Sequence, residues 1–307
     1  MTVLEAIQKS TEFLGKKNVE SPRLQTELLL AHLLKMPRMK LYLNFDRVLT
    51  TAETDALREL VKRRGLREPL QHIVGSTSFC GLEIAVNRHA LVPRPETELL
   101  AELGWIFLST INHQPSTALD FGTGTGCIAI ALAAKCPDAT ITALDVSPEA
   151  LALAKENATK NNVAGRIDFV HGDGFAALSS VGQASRLSPS EENRSETGAT
   201  PVLRFDLIIS NPPYIPSAEI ETLEPEVRDF DPRLALDGGA DGLNFYRMLA
   251  AHAKAFLKPD GKMMLEFGDG QADAIKKIFT DENWIVEAVK EDYSQRARIL
   301  VARASRI

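Results

Sequence analysis

The chain has 307 residues, of which 44% are hydrophobic and 25% are charged, with a net charge of −6; this balance is ordinary for a soluble folded protein of one or two domains. No apolar run approaches the roughly 20 residues that a membrane-spanning helix needs, and residues 1–10 lack the apolar core of a signal peptide. We therefore exclude a membrane protein and expect a cytoplasmic one.

Residues 1–70 have the pattern of helices, with no convincing strand. Ser21 stands before Pro22 as an N-cap stands before a proline at the first helical position. Residues 51–66 carry another strong helical pattern. The sequence therefore predicts a small N-terminal helical bundle, which we interpret as a substrate-recognition domain.

Basic residues are concentrated in this first part of the chain. Residues 1–75 contain 13 Lys and Arg against 9 Asp and Glu, whereas the remainder contains 22 against 32. Part of the excess is a cluster formed by Lys62, Arg63, Arg64 and Arg67. We expect this cluster to be a solvated helix end. Contact with a polyanion is the alternative.

Residues 71–92 change to a strand pattern on both sides of Cys80-Gly81, which predicts a β-hairpin linker. In residues 93–307 strands and helices alternate, which predicts an α/β domain with a doubly wound, seven-stranded sheet. The last two strands follow each other without a helix, which predicts a closing antiparallel hairpin. Strands are predicted at 117–121, 139–145, 166–171, 205–210, 261–267, 283–289 and 296–302, and helices at 95–110, 126–135, 147–160, 241–257 and 270–280.

One segment of the second domain breaks this alternation. Residues 178–203 are rich in Ser, Glu, Thr, Gly and Pro. Such a composition buries too little apolar surface to offset the entropy of ordering the chain. We expect a flexible insertion, with a regulatory or partner-binding loop as the alternative.

A glycine-rich turn follows the first predicted strand of the sheet, with the sequence Asp120-Phe121-Gly122-Thr123-Gly124-Thr125-Gly126. Glycine lets a backbone turn sharply and approach a ligand closely. The third glycine comes one residue too early for the dinucleotide pattern G-x-G-x-x-G. The carboxylate of Asp120 would also repel a pyrophosphate, whereas it suits the ammonium group of S-adenosylmethionine.

Two further strand ends strengthen the prediction of a nucleoside site. Asp145 ends the second strand at a spacing typical of an acid that binds ribose hydroxyls. Its alternative function is to cap the helix that follows, and both can hold. Asp173 and Gly174 end the third strand, where an adenine amino group needs an acceptor. The predicted cofactor-binding residues are Asp120, Gly122, Thr123, Gly124, Thr125, Gly126, Asp145, Asp173, Gly174 and Asn211.

The run Asn211-Pro212-Pro213-Tyr214 directly follows the buried strand at 205–210. The side-chain oxygen of Asn211 and the carbonyl of Pro212 are acceptors for the two N–H groups of a planar nitrogen. Pro213 keeps the residue before it extended, and Tyr214 can stack on a planar group. These four predicted catalytic residues favour methyl transfer to a flat NH2 group, with a rigid turn as the alternative.

No competing chemistry stands out. The six histidines have no paired spacing, which argues against zinc and any other metal site. Cys80, Cys127 and Cys136 are odd in number, so we expect free thiols in a reducing compartment. The chain has neither a nucleophile elbow nor a Walker loop.

With these motifs the chain resembles the peptide chain release factor glutamine methyltransferase family over nearly its whole length. The resemblance rests on Leu91-Val92-Pro93-Arg94-Pro95-Glu96-Thr97-Glu98, on residues 120–126 and 211–215, and on residues 234–246 with their Gly-Gly-Ala-Asp-Gly-Leu core. Residues 261–266 and Asp292-Tyr293 are also similar to the family. It implies S-adenosylmethionine-dependent N5-methylation of the glutamine in the Gly-Gly-Gln motif of class 1 translation release factors. By the same resemblance, residues 122–126, Asp145 and Asn211 line the cofactor, and residues 211–214 hold the glutamine.

Two features depart from the family pattern. Gly174, followed by Phe175, stands where the family often has an aromatic that packs on adenine, and the insertion at 178–203 is longer than the family usually carries. A rival function is that of an adenine-N6 methyltransferase acting on a flipped base of a nucleic acid. The acidic second half argues against it, so we expect no direct contact with nucleic acid. A ribosomal-protein glutamine methyltransferase is a second rival, and a non-catalytic adaptor with the same fold is a third.

Overall fold

The computed structural model describes residues 1–111, 115–178 and 203–305. The chain divides into two compact units. The first comprises Met1–Thr77, Val86–Arg88 and Leu223–Phe230, and the second comprises Ser78–Ala85, His89–Thr222 and Asp231–Ile307. The first unit therefore includes a short segment from the second half of the chain, which the sequence does not predict.

The first unit is built mainly from helices, and we call it the helical unit. Its helices are α1 (Val3–Lys16), α2 (Pro22–Leu33), α3 (Arg38–Leu41), α4 (Thr51–Gly65) and α5 (Leu70–Val74). Capping boxes begin α1 at Thr2 and α4 at Thr50. The predicted N-cap at Ser21 is wrong in one respect: the residue has a φ of 47°, and its side chain does not cap α2. The apolar faces of the helices bury Leu14, Leu29 and Leu57 in one core.

The basic cluster at the end of α4 is paired with carboxylates of the same unit. Arg64 is only 3% exposed, so the expectation of a solvated helix end is wrong for this residue. Three of the four cations of the cluster bind glutamates, and two of these glutamates come from the segment 223–230. The pairs are Arg63–Glu68, Arg64–Glu226, Arg67–Glu224 and Arg67–Glu226.

The predicted hairpin is present, with strands β1 (Ser76–Phe79) and β2 (Leu82–Ala85). Both residues of its turn have positive φ angles, 51° at Cys80 and 78° at Gly81. This is the combination that a two-residue turn with the right-handed twist of a hairpin requires.

The second unit contains a seven-stranded sheet with the order β5-β4-β3-β6-β7-β9-β8. Its strands are β3 (Thr117–Phe121), β4 (Thr140–Asp145), β5 (Ile167–His171), β6 (Phe205–Ser210), β7 (Leu257–Glu266), β8 (Trp284–Glu291) and β9 (Ala297–Ala304). The first five are parallel, and β9 runs antiparallel to β7 and β8. The predicted doubly wound sheet with a closing hairpin is confirmed.

Helices of the same unit flank this sheet. They are α6 (Pro95–Ser109), α7 (Cys127–Lys135), α8 (Pro148–Lys160), α10 (Asn244–His252) and α11 (Ala272–Asp281). The short helix α9 (Pro225–Arg228) comes before α10 in the chain but belongs to the helical unit. β6 is buried at every position, because helices cover both faces of a doubly wound sheet. A cluster around Tyr246, Phe267 and Phe279 forms much of the core.

Two predicted boundaries shift where a proline interrupts regular pairing. β7 begins at Leu257 rather than at 261, and its register with β6 shifts between Phe205 and Leu207. The shift accommodates Pro259, which has no N–H for the ladder, and Asp260, whose φ is 67°. The helix predicted at 241–257 is accordingly shorter and ends in a 3-10 turn before β7.

Nearly all of the predicted insertion lies outside the described residues, since these resume only at residue 203. None of the described helices is long and apolar enough to cross a membrane. The thiols of Cys80, Cys127 and Cys136 are free, as predicted.

Candidate active site

A cavity of about 450 Å³ lies at the carboxyl ends of β3, β4, β5 and β6. The chain continues from β3 to β4 on one side and reaches β6 on the other, which makes this the switch point where doubly wound sheets bind ligands. The volume is in the range of small-molecule sites. Predicted site residues that line it are Gly122, Thr123, Gly124, Thr125, Asp145, Asp173, Gly174, Asn211 and Pro213.

The glycine-rich turn has the left-handed conformations that its sequence predicts. The φ angles of Gly122, Gly124 and Gly126 are 75°, 55° and 81°. A Cβ on Gly126 would lie 3.0 Å from that of Ala154 on α8. Gly126 therefore lets α7 and α8 pack closely, whereas the turn before it borders the cavity.

Asp120 lies behind this turn and is fully buried. Its Oδ2 accepts hydrogen bonds from Thr123 Oγ1 at 2.6 Å and from the backbone N–H of Ala129 at 3.1 Å. Burial raises the pKa of Asp120 to about 7, and Oδ1 has no hydrogen-bond partner among the described residues. Asp120 thus joins the turn to α7 and is absent from the cavity lining. Its predicted contact with an ammonium group stays a prediction.

Asp145 is fixed at the cavity by backbone donors on both of its oxygens. Oδ2 accepts from the N–H of Gly124 at 2.8 Å, and Oδ1 accepts from the N–H of Ser147 at 2.9 Å. Each oxygen keeps a further lone pair for a ligand. The side chain that caps α8 is that of Ser147, whose Oγ accepts from Ala150 N–H at 3.1 Å.

Asp173 and Gly174 border the cavity at the end of β5, but Phe175 does not. Its ring is buried and packs on Phe121 and Phe256, with centroid distances of 5.0 and 4.7 Å. Phe175 therefore belongs to the core and is no candidate for stacking on adenine.

Several apolar residues of the lining do not follow from the sequence, namely Leu91, Ile128, Val146, Phe245 and Met248. Val146 had a usable signal, because it directly follows the predicted ribose acid at the end of β4. Phe245 and Met248 lie on α10, and no local pattern points from that helix to the glycine turn.

Arg94 lines the cavity, although the sequence points to it only as part of a motif. Its Nη2 lies 2.8 Å from Oδ2 of Asp231, whose Oδ1 accepts from the N–H of Val92 at 3.5 Å. Burial raises the pKa of Asp231, and the positive charge of Arg94 opposes that shift. The pair ties the Pro-Arg-Pro motif to the segment that precedes the Gly-Gly-Ala-Asp-Gly-Leu run.

Asn211 emerges from the buried strand β6 into the cavity. Its Nδ2 donates a hydrogen bond to Thr97 Oγ1 at 3.2 Å. Its Oδ1 is buried and has no partner among the described residues. The side chain therefore carries a free acceptor at the site where the sequence predicts one.

The other three residues of this run are arranged unequally. Pro213 lines the cavity, whereas Pro212 and Tyr214 do not. Tyr214 packs against the core, and burial raises the pKa of its phenol. The backbone carbonyl of Tyr214 accepts from Gln271 Nε2 at 2.9 Å. Stacking of Tyr214 on a planar substrate stays a prediction.

The glycine-rich run at 238–243 and the residues before it pack against the loop at 211–215 that follows β6. Ile215 N–H donates to Leu236 O at 3.0 Å, and Gly238 N–H donates to Ile215 O at 2.8 Å. Gly242 has a φ of 76°, and a Cβ there would collide with the carbonyl oxygen of Tyr214. A glycine at position 242 therefore lets this run pack directly against the backbone of the 211–215 loop.

These residues fit S-adenosylmethionine. The donor and acceptor set comprises a turn in which every second residue is a glycine, a carboxylate fixed by two backbone N–H groups and an acidic residue at the third strand end. The apolar lining suits an adenine ring. Among the described residues, no group of His, Cys, Asp and Glu could hold a metal ion.

Two family models match the chain. Residues 5–75 match the PrmC N-terminal domain, and residues 104–185 match the methyltransferase small domain.

The chain is also similar to named proteins over most of its length. It is 41% identical to the release factor glutamine methyltransferase of Geobacter sulfurreducens, covering 91% of this chain and 88% of that one. It is 36% identical to the protein of the same name from Chlorobaculum tepidum, covering 99% and 97%. A solved protein-(glutamine-N5) methyltransferase (release factor-specific) from Alicyclobacillus acidocaldarius is 27% identical, with coverage of 70% and 95% and a TM-score of 0.42. The chain belongs to the release factor glutamine methyltransferase family.

Proposed function

We propose that this protein transfers a methyl group from S-adenosylmethionine to the side-chain amide nitrogen of the glutamine in the Gly-Gly-Gln motif of class 1 translation release factors. It would act in the cytoplasm, where those factors work. The observation that carries the proposal is the buried, unpartnered Oδ1 of Asn211, a residue that lines the same cavity as the glycine turn and Asp145.

S-adenosylmethionine, when bound, supplies an electrophilic methyl group. The residues proposed to hold it are the turn at 122–125, with Asp145 accepting from the ribose hydroxyls and Asp173 and Gly174 at the adenine end. Asp145 is prepared for this task, because its orientation is already fixed by Gly124 and Ser147.

The chain's own contribution to the reaction is to orient a poor nucleophile. The lone pair of an amide nitrogen is delocalised into the carbonyl, so the nitrogen reacts only when it is held in line with the methyl group. Asn211 Oδ1 would accept one N–H of the glutamine amide, and the carbonyl of Pro212 would accept the other. Pro213 restricts that carbonyl to an extended backbone.

We assign recognition of the body of the release factor to the helical unit. Its segment 39–48 exposes large apolar side chains, including Leu43 at 85%, Val48 at 67% and Met39 at 66%. Exposed apolar residues grouped in this way are typical of protein contacts. The paired state of Arg63, Arg64 and Arg67 also favours a protein substrate over a polyanion.

The test is to incubate the protein with labelled S-adenosylmethionine and a purified class 1 release factor, and to map the label by peptide mass spectrometry. We expect the label on the glutamine of the Gly-Gly-Gln motif. A factor in which this glutamine is replaced by alanine is the matched control and should stay unlabelled. Label on another residue, or on added DNA or RNA, would contradict the proposal.

A further inference from the structure

Two buried polar residues, Thr97 and Glu266, lie behind the amide of Asn211. β6 and β7 are adjacent and parallel, and Ser210 is paired with Leu265. The next residue of each strand is therefore Asn211 on one side and Glu266 on the other. Thr97, from the first turn of α6, lies against both. Thr97 is 3% exposed and Glu266 is 2% exposed.

One hydrogen bond orients this group. Asn211 Nδ2 donates to Thr97 Oγ1 at 3.2 Å, which leaves the hydroxyl hydrogen of Thr97 available to donate to another acceptor. Glu266 offers such an acceptor, because its Oε2 is buried and has no hydrogen-bond partner among the described residues. The Glu266 carboxyl is close enough to Thr97 and Asn211 for both polar groups to lower its pKa, although burial is the larger influence. A carboxylate there can only accept hydrogen bonds.

The orientation of the Asn211 amide matters because its two ends are chemically opposite. With Oδ1 toward the cavity, the side chain accepts an N–H of the substrate amide. With the NH2 group toward the cavity, two donors would face each other. Acceptor groups behind Asn211 bind its NH2 group and so direct that end away from the cavity. The end without a partner is then the oxygen, and Oδ1 is indeed the unpartnered atom.

We propose that Glu266 is a positioning residue: its ionised carboxylate, together with Thr97, keeps the amide oxygen of Asn211 directed at the glutamine amide. This rests on the proposed function, because the orientation matters only for a substrate that donates N–H groups. Neither Glu266 nor Thr97 need touch the reacting atoms.

The positioning role makes turnover depend on pH. Burial is the main cause that raises the pKa of Glu266 to about 7; Glu96 adds to this shift, whereas Thr97, Arg298 and Asn211 oppose it. The phenols of Tyr214 and Tyr246 also face this carboxyl, but both have raised pKa values and stay neutral. A protonated Glu266 carries an O–H donor, so it attracts the NH2 group of Asn211 less strongly than the carboxylate does. Turnover should therefore rise as the pH rises through about 7.

The experiment measures single-turnover methylation of a release factor at saturating cofactor and factor, from pH 6 to pH 8.5, which is about one to one and a half units on each side of the expected midpoint. Glu266→Gln has the same shape but cannot ionise. We expect its rate above pH 7 to fall about tenfold or more, and its dependence on pH near 7 to disappear. The affinity for S-adenosylmethionine and the KM for the factor should stay within about twofold of the wild-type values.

Thr97 provides an independent pair of variants. Thr97→Val keeps the shape and removes the hydroxyl, so it should slow turnover, whereas Thr97→Ser should recover most of the loss. Methylation of the glutamine by the wild-type protein tests the proposed function separately. If the wild type methylates the factor but Glu266→Gln keeps its rate and its pH dependence, Glu266 has no positioning role. Equal rates for Thr97→Val and Thr97→Ser would overturn the role of the hydroxyl.

Discussion

Removal of Glu226 should destabilise the helical unit far more than removal of Glu224, although both bind the same arginine. Glu226 Oε1 accepts from Arg64 Nη2 at 2.7 Å and from Arg67 Nε at 2.6 Å. The side chain of Arg64 is 4% exposed, whereas that of Glu224 is 75% exposed. Without Glu226, a buried guanidinium loses its only carboxylate partner among the described residues.

The expected cost follows from this difference in burial. Breaking a buried ion pair by removing one partner costs about 3–5 kcal/mol, because the remaining charge is left uncompensated. We expect the lower end for Glu226→Ala, since Arg64 still donates to Gln25 Oε1 at 2.7 Å and to the carbonyl of Glu68 at 3.2 Å. Glu224→Ala removes only an exposed pair, which is worth about 0–1 kcal/mol.

The pH dependence gives a second signature of the same contact. Burial tends to raise the pKa of Glu226, but the hydrogen bonds from Arg67 and Arg64 outweigh it and hold the pKa below its ordinary value of 4.5. The folded protein therefore binds this proton more weakly than the unfolded chain does. The resulting stabilisation is complete above pH 4.5 and is lost as the pH falls through the lowered pKa.

Urea unfolding followed by circular dichroism at neutral pH, and again in acid, measures both effects. The variants Glu226→Ala and Glu224→Ala form the matched pair, and the free energies of unfolding should differ by roughly 2 kcal/mol or more at neutral pH. This difference should shrink in acid. Equal stabilities at neutral pH would show that Arg64 does not depend on Glu226, and the reasoning from burial would be refuted.

Three other predictions concern the site and the substrate. Asp145→Ala should weaken S-adenosylmethionine binding by about 1.5–3 kcal/mol in calorimetry, because the ribose hydroxyls lose a charged acceptor; unchanged affinity in a folded variant would remove Asp145 from the cofactor site. Asn211→Ala should slow single-turnover methylation about a hundredfold or more, and near-normal turnover would disprove the amide-holding mechanism. Leu43→Asp should raise the KM for a whole release factor while leaving cofactor affinity unchanged, and an unchanged KM would exclude this part of the helical unit from recognition.

Most of the sheet could be predicted because each of its strands has a recognisable pattern in its own local sequence. Four of the six residues of β6 are apolar and Asn211 directly follows this strand, and a glycine turn directly follows β3. Such signals depend on neighbours in sequence and on the burial of both faces of the sheet. The start of β7 was missed, because the pairing continues past the interruption at Pro259 and no local pattern reveals that.

Contacts between residues that are far apart in the sequence could not be predicted in the same way. Arg64 binds a glutamate 162 residues further along the chain, so its local sequence is that of an ordinary basic helix end. Phe175 comes one residue after the position where the family often has an aromatic on adenine, but its ring has aromatic neighbours from β3 and from the turn before β7. Asp120 was correctly predicted near the end of a strand, but its hydrogen bonds are with Thr123 and Ala129 behind the turn.

The route of the chain also has a consequence for synthesis on the ribosome. The segment Leu223–Phe230 completes the helical unit, so Arg64 stays without its carboxylate partner while the next 162 residues are added. At a rate of about 5–20 residues per second, this delay lasts roughly 8–30 seconds. Throughout that time Arg64 and Arg67 lack their glutamate partners, so other acidic groups can bind them. The helical unit is complete only after Glu224 and Glu226 have been synthesised, and a chain truncated before them would lack these ion pairs.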